Sequence, residues 1–367
     1  MDTTTLLTSR RDPADGRLHT SSAPPLQPGW ARFAVRRVSI TTNNVTYALF
    51  GERMSYWQFF PSSQEGWGVV PVWGFAEVVE SAQPDIAVGA RYFGYWPLAE
   101  TADLLPTKVS PSGFIDGAAH RAPLPSTYNR YGAAPSNQAA QDEAALAIMR
   151  PLFGTAFLLT DFLQENDWFG ARQLVLSSAS SKTAYATAWC ARELLVSGQG
   201  PTVRLIGLTS RSNADFVRRL GFYDHVLAYD EIASIDAASP TVFADFSGSA
   251  EQRTALHHHL GDALRHSAVI GATQFSAGGR EAPLPGAKPT FFFAPDRRRK
   301  RLEDWGPAVL MQRVEDSQSR FLQQMQSGAT PGLRIVTHGG LEAARTVMAE
   351  LASGRIDPAV GHVIDVS

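Results

Sequence analysis

The stretch "LVLSSASSKTAYATAWCA", from Leu174 to Ala191, decides how this chain is read. Leu174 to Leu176 form a short apolar run of the kind found in buried strands, and "KTAYATAWCA" suits a helix. The turn between them holds Ser177, Ser178, Ala179, Ser180, Ser181, Lys182 and Thr183, and no glycine. Small side chains there leave room over the first N–H groups of the helix, which lack intrahelical partners. Hydroxyls at Ser178, Ser180 and Ser181 can cap the helix or donate to an anion. Lys182 adds a cation at the positive end of the helix dipole, a poor choice without an anion nearby. Three readings stand. The turn binds a phosphate through Ser178, Ser180, Ser181, Lys182 and Thr183, or it is a serine-capped helix start with a solvated lysine. The third reading makes Ser178 and Lys182, four apart, a serine–lysine nucleophilic pair, which no partner motif supports.

Outward from this unit, apolar strands keep alternating with helices. "TVRLIGLTS" is followed by the helix "SNADFVRRLG", and "HVLAY", "TVFADFSG" and "SAVIGAT" supply three further strands. That rhythm predicts a parallel sheet with helices on both faces. Residues 33–100 are β-rich instead, and Pro106 to Asn137 is rich in proline and glycine. A helical segment follows, with Pro151 expected to break or restart it. The tail reads strand, helix, strand. The expected fold class is α/β, with a β-rich lobe over 31–152 and 328–367 and a doubly wound sheet over 153–327. Residues 1–30, rich in Ser, Thr, Pro and Arg, are expected to be a flexible lead-in.

Composition excludes several classes. With a formal charge of −2, no general field drives the chain onto nucleic acid or an anionic membrane. Cys190 is the single cysteine, so an internal disulfide and a cysteine-rich zinc site are both excluded. No uninterrupted apolar run reaches the roughly 18 residues of a membrane span, and the N-terminus lacks a secretory core. A cytoplasmic protein is expected, with a small-molecule substrate and with neither nucleic acid nor membrane as partner.

Several segments carry a family resemblance. "VPVWGFAEVVES", "RLGFYDHVLAYDEI", "VFADFSGS", "SAVIGAT" and "LEAARTVMAELASGRIDPAVGHVIDV" resemble the medium-chain dehydrogenase/reductase superfamily, in its zinc-free quinone and enoyl reductase branch. The likeness covers most of 33–367. The run "NNVTYALFGERMSYWQFFP" also resembles a poorly characterised offshoot of that superfamily. The resemblance implies a GroES-like first lobe, a Rossmann-type second lobe and an NADPH-dependent reductase of conjugated carbonyl compounds that uses no metal. The family's glycine-rich turn falls on Ser178, Ser181, Lys182 and Ala184, where this chain departs from it. That departure keeps two rivals open: a non-redox enzyme that has lost the dinucleotide, and a non-catalytic binding protein.

If a dinucleotide binds, the end of the second strand favours NADP. It offers Thr209, Ser210, Arg211 and Ser212 in place of an acid, which suits a 2′-phosphate. The resemblance places Tyr229 on the adenine side and borders the substrate with Asn44 and Tyr47. Backbone at Gly271 and Ala272, ending the fifth strand, can reach a nicotinamide amide. Tyr47 and Tyr56 are candidate donors to a substrate carbonyl, and Trp57, Phe59 and Phe60 either wall a pocket or simply pack. Tyr128, Asn129 and Tyr131 have the same two readings. Asp245 ends the fourth strand, where sheet ligands gather, or caps the next turn. His257, His258 and His259 are consecutive and splay around a helix, so a solvated face is expected rather than a metal. "PDRRRKR" from Pro295 either holds a phosphate-bearing substrate or is a charged surface helix. "TFFFA" lies where the resembled family pairs subunits, which implies a homodimer.

Overall fold

The computed structural model describes residues 2–135, 139–198, 202–270, 283–326, 332–354 and 357–366. The chain divides into two compact units, one of Met1–Pro151 with Arg334–Ser367 and one of Leu152–Leu333.

In the first unit, β1 (Asp2–Ser9) and β2 (Gly16–Ser22) form an antiparallel hairpin. Leu6 and Leu7 are buried by it. The expected flexible lead-in is therefore wrong. Threonines 3 to 5 and the two leucines suit a pleated surface, and an antiparallel sheet tolerates polar residues on its wet face. Next come β3 (Ala31–Ile40) and α1 (Thr42–Leu49). β4 (Trp67–Gly68) pairs with the end of β1. The chain continues through β5 (Pro71–Ser81), β6 (Arg91–Pro97), β7 (Thr101–Leu104), β8 (Pro106–Ser110), β9 (Gly113–Asp116) and β10 (Arg130–Ala134).

α2 (Ala140–Glu165) carries the chain from the first unit into the second. It passes through Pro151 without ending, against the expected break. A proline has no N–H for the carbonyl four residues earlier. That carbonyl, on Ala147, accepts instead from the Ser39 hydroxyl at 2.8 Å. α2 is the one helix among the described residues long and apolar enough to cross a membrane, and 56% of that window is buried inside the structure.

The second unit begins with a left-handed turn. Asp167, Trp168, Phe169 and Gly170 have φ of 49°, 50°, 54° and 68°. Each non-glycine residue there costs roughly 1–2 kcal/mol. Burial of Trp168 and stacking of Phe169 on His266 at 4.1 Å offset this cost. Then come β11 (Gln173–Leu176), α3 (Lys182–Val196), β12 (Arg204–Thr209), α4 (Ala214–Leu220), β13 (His225–Ala228) and β14 (Thr241–Asp245). α5 (Ala250–Leu260), β15 (Leu264–Val269), β16 (Pro289–Phe291) and α6 (Ala294–Gln326) complete the unit. All six strands are parallel, in the order β13-β12-β11-β14-β15-β16. That is the doubly wound order of two mononucleotide-type halves, with its reversal between β11 and β14.

Two expectations fail inside this unit. His257 is fully buried, bonded to the Pro285 carbonyl (2.9 Å) and the Ser267 hydroxyl (3.0 Å), and burial lowers its pKa. Only His258 of the triplet is exposed. The triplet splays as expected, but one face of α5 must pack on the sheet. The basic run is also engaged internally. Arg297 and Arg301 are buried against Asp161 at 2.7 and 2.8 Å, and Glu165 bridges Arg297, Lys300 and Arg301. These cations tie α6 to α2 rather than face a substrate.

The chain then returns to the first unit through β17 (Arg334–Gly339), α7 (Gly340–Ala352) and β18 (Val360–Asp365). The large sheet runs β17-β18-β3-β5-β6-β10-β9-β8, with β7 paired to β3. Phe33, Tyr95, Trp96, Phe114 and Tyr131 fill its core with α7's Leu341, Val347 and Leu351.

Candidate functional site

The glycine-free turn follows β11 at the carboxyl edge of the parallel sheet. Ser178 adopts a left-handed conformation, φ 49°, where a glycine would sit without strain. Its N–H donates to the Tyr229 hydroxyl at 3.1 Å. The Ala179 N–H donates to the Leu208 carbonyl at 2.9 Å, and the Tyr223 hydroxyl donates to the Ala179 carbonyl at 3.1 Å. Two tyrosines and a strand thus brace the turn from outside. The close approach depends on Gly207 of β12, since a Cβ there would meet the Ala179 methyl at 2.9 Å and the Tyr223 ring at 3.0 Å. The glycine that permits tight packing is on the neighbouring strand.

The hydroxyls divide between roles. Ser181 is the N-cap of α3 and accepts from the Ala184 N–H at 3.4 Å. The Ser180 hydroxyl accepts from Asn213 (3.1 Å) and Thr209 (3.4 Å). Lys182 and Thr183 open α3, both half-buried. Beneath them Ser177 donates to Asp245 at 2.8 Å, and Asp245 pairs with Arg253 at 2.9 Å with both side chains fully buried. Asp245 also accepts from the Ser247 and Gly248 N–H groups. It organises the loop after β14, which is the capping alternative of the sequence reading.

At the end of β12, Ser210 and Ser212 share a hydrogen bond of 3.0 Å. Arg211 pairs with Asp230 at 2.5 Å, both well exposed, and this guanidinium lowers the Asp230 pKa. Sequence reasoning found no acid beside Arg211 because the acid comes from the turn after β13, nineteen positions on. Exposed pairs of this kind contribute little to stability, so an anion can compete with Asp230 for the guanidinium. Burial raises the Tyr229 pKa and keeps its phenol protonated. Gly271 and Ala272 lie outside the described residues.

The first unit gathers the other candidates. Asn44 is the correction here. Its carbonyl oxygen accepts from the Thr41 N–H at 2.7 Å and its amide donates to the Pro71 carbonyl at 2.9 Å. Both ends are engaged, so Asn44 closes a capping box on α1 instead of meeting a substrate. Tyr47 and Tyr56 are brought together, ring centroids 4.5 Å apart. Burial raises both pKa values, so each remains a neutral donor at physiological pH. Tyr131 and Asn129 are structural. The Tyr131 hydroxyl donates to the Tyr95 carbonyl at 2.6 Å, and Asn129 both donates to and accepts from Arg121.

Sequence reasoning missed Trp73, Tyr95 and the buried Arg121–Asp116 pair. Trp73 and Tyr95 are cross-strand partners on β5 and β6, with rings 4.9 Å apart. The alternation in "PVWGFAEV" and "RYFGYWP" carried that signal. Among the described residues no group of three or more His, Cys, Asp or Glu side chains is placed to hold a metal.

A family model described as "Protein of unknown function (DUF2855)" matches residues 38–357. The chain belongs to that family. No curated protein matches this DUF2855 chain in sequence. Solved structures do match it in fold. CurA from Vibrio vulnificus superposes with a TM-score of 0.62 at 15% identity, covering 100% of this chain and 99% of CurA. A putative NADPH:quinone reductase from Mesorhizobium loti gives 0.62 at 14% identity, over 99% and 98% of the two chains. The quinone oxidoreductase from Coxiella burnetii gives 0.57 at 12%, over 100% of each. The DUF2855 protein therefore shares the fold of these solved structures.

Proposed function

We propose that this DUF2855 protein is an NADPH-dependent reductase of a conjugated carbonyl compound, acting without metal. The observation that carries the reading is the braced turn at Ser178–Lys182, at the reversal of strand order, opening the fifteen-residue helix α3. The residues present fit a dinucleotide phosphate. The turn has only small side chains over the helix start, its conformation is fixed by Tyr223 and Tyr229, and Lys182 supplies a cation in the first helical turn. Support also comes from CurA of Vibrio vulnificus, solved in complex with NADPH at 14% identity.

In this reading Ser180, Ser181, Lys182 and Thr183 hold the pyrophosphate. Arg211 leaves Asp230 for the 2′-phosphate, with Ser210 beside it, and Tyr229 backs the adenine side. The dinucleotide, when bound, supplies hydride. Tyr47 and Tyr56, kept protonated by burial, hold the substrate oxygen and stabilise charge that develops on it.

Titration of the purified protein with NADPH and NADH, followed by thermal shift, tests the reading. NADPH is expected to stabilise the fold more than NADH, and Lys182→Ala and Arg211→Ala to reduce the shift. No stabilisation at millimolar NADPH would overturn the reading. One observation favours the alternative of a lost dinucleotide. The Ser178 N–H is already held by the Tyr229 hydroxyl.

We also propose a homodimer through β16, the edge strand of the parallel sheet, where Phe291 is 42% exposed. An apolar edge of this kind is a ready template for a second copy.

A further inference from the structure

Arg211 sits in the turn after β12 with its side chain 69% exposed, yet two acids from the turn after β13 already face it. Its Nε and one terminal nitrogen both donate to the same Asp230 oxygen, at 3.1 and 2.5 Å. A Glu231 oxygen stands 4.0 Å from the other terminal nitrogen. Glu231 is held in place, because its second oxygen accepts from the Ala228 N–H at 2.8 Å. One guanidinium thus stands between two carboxylates, and the three side chains together are net negative. That is a poor setting for a phosphate monoester, which brings a charge of about −1.5 to −2 at neutral pH. A sugar hydroxyl meets no such repulsion, since a carboxylate accepts its hydrogen bond.

We infer that Asp230 is a specificity-determining residue of the dinucleotide site: by holding Arg211 it opposes the 2′-phosphate of NADPH, tolerates the 2′-hydroxyl of NADH, and leaves the protein with only a weak preference for NADPH. This inference deepens the proposed reductase reading and rests on it. Doubly wound dinucleotide sites ordinarily set the choice at the end of the second strand, with an acid for the ribose hydroxyls or an arginine for the 2′-phosphate. Here both groups are present and paired, the arginine after β12 and the acid nineteen positions on, after β13. A 2′-phosphate has to displace Asp230 from the guanidinium and then bear its charge nearby. A 2′-hydroxyl leaves the pair intact. Because the pair is exposed, displacement is feasible, so the preference is weakened rather than reversed.

The test uses the full-length protein and four probes: NADPH, NADH, and the adenosine fragments 2′,5′-ADP and 5′-AMP. Dissociation constants are measured by calorimetry, and a melting curve checks that each variant is folded. Asp230→Asn keeps the shape of the side chain and removes its charge. It is expected to tighten NADPH and 2′,5′-ADP by roughly fivefold while leaving NADH and 5′-AMP unchanged. In an Arg211→Ala background the same substitution is expected to have little effect, because no guanidinium is left to release. Glu342→Gln is the control. It removes an equal charge from an exposed ion pair with Arg345 on α7 and is expected to leave all four affinities unchanged.

Unaltered NADPH affinity in Asp230→Asn would overturn the inference. So would an equal gain in the Arg211→Ala background or in Glu342→Gln, since either would mark a general effect of charge. The two readings fail separately. If NADPH does not bind but 2′,5′-ADP binds more tightly to Asp230→Asn, the role of Asp230 stands and the reductase falls. If NADPH binds the wild type and Asp230→Asn equally, the reductase stands and the role of Asp230 falls. No binding of any probe by the folded protein removes both.

Discussion

The Ser39 hydroxyl donates to the Ala147 carbonyl at 2.8 Å, four residues before Pro151 in α2. It fills the acceptor that the proline cannot reach, so a strand residue far off in sequence lets a helix continue through a proline. Ser39→Ala is expected to destabilise the protein by about 1–2 kcal/mol in urea unfolding. With Pro151→Ala in place, the helix regains its own N–H donor and the same substitution is expected to cost less. Equal losses in both backgrounds would show that the hydroxyl does not serve the proline.

The packing of the turn on β12 gives a second expectation. Gly207→Ala puts a methyl group against Ala179 and the Tyr223 ring. A loss of about 1–3 kcal/mol is expected from such overpacking. Ala179→Gly removes the facing methyl and is expected to recover part of it, read by thermal denaturation of the single and double variants.

The Asp245–Arg253 pair is fully buried and also gathers Ser177, Ser247 and Gly248. Arg253→Ala leaves a carboxylate without its counter-charge and is expected to cost about 3–5 kcal/mol. Arg211→Ala breaks the exposed pair with Asp230 and is expected to leave stability nearly unchanged. Parallel denaturant titrations separate the two roles.

Glu165 supplies the pH dependence. Its hydrogen bonds with Arg297 and Lys300 hold its pKa down at about 2, against 4.5 for an ordinary glutamate. A pKa depressed by folding stabilises above the unfolded value and loses that effect as pH falls through the folded one. Its contribution should therefore be complete above pH 4.5 and fade towards pH 2. Glu165→Gln is expected to flatten this part of the stability profile, measured by melting temperature across that range.

The edge strand gives the last expectation. If β16 pairs two copies, light scattering should report a dimer for the wild type, and Phe291→Glu should shift it towards monomer. A wild-type monomer at micromolar concentration would sink the dimer.

The sequence by itself determined the two-part layout, because it rests on local periodicity. Runs such as Leu174–Leu176 and Val242–Ala244 alternate with helices at a spacing that only a parallel sheet accommodates. The Ser181 cap and the small-residue turn were legible for the same reason, since they depend on neighbours three or four residues apart. What only the tertiary structure decided depends on residues brought together from far along the chain. Asn44 became a structural cap because Pro71 meets it, and Arg211 acquired Asp230 from the next crossover. His257 was buried because one face of α5 packs on the sheet, and the polar lead-in became a hairpin because β4 gives it an edge to join. Composition records what a residue can do. Long-range hydrogen bonds and burial decide which of those capacities is already satisfied.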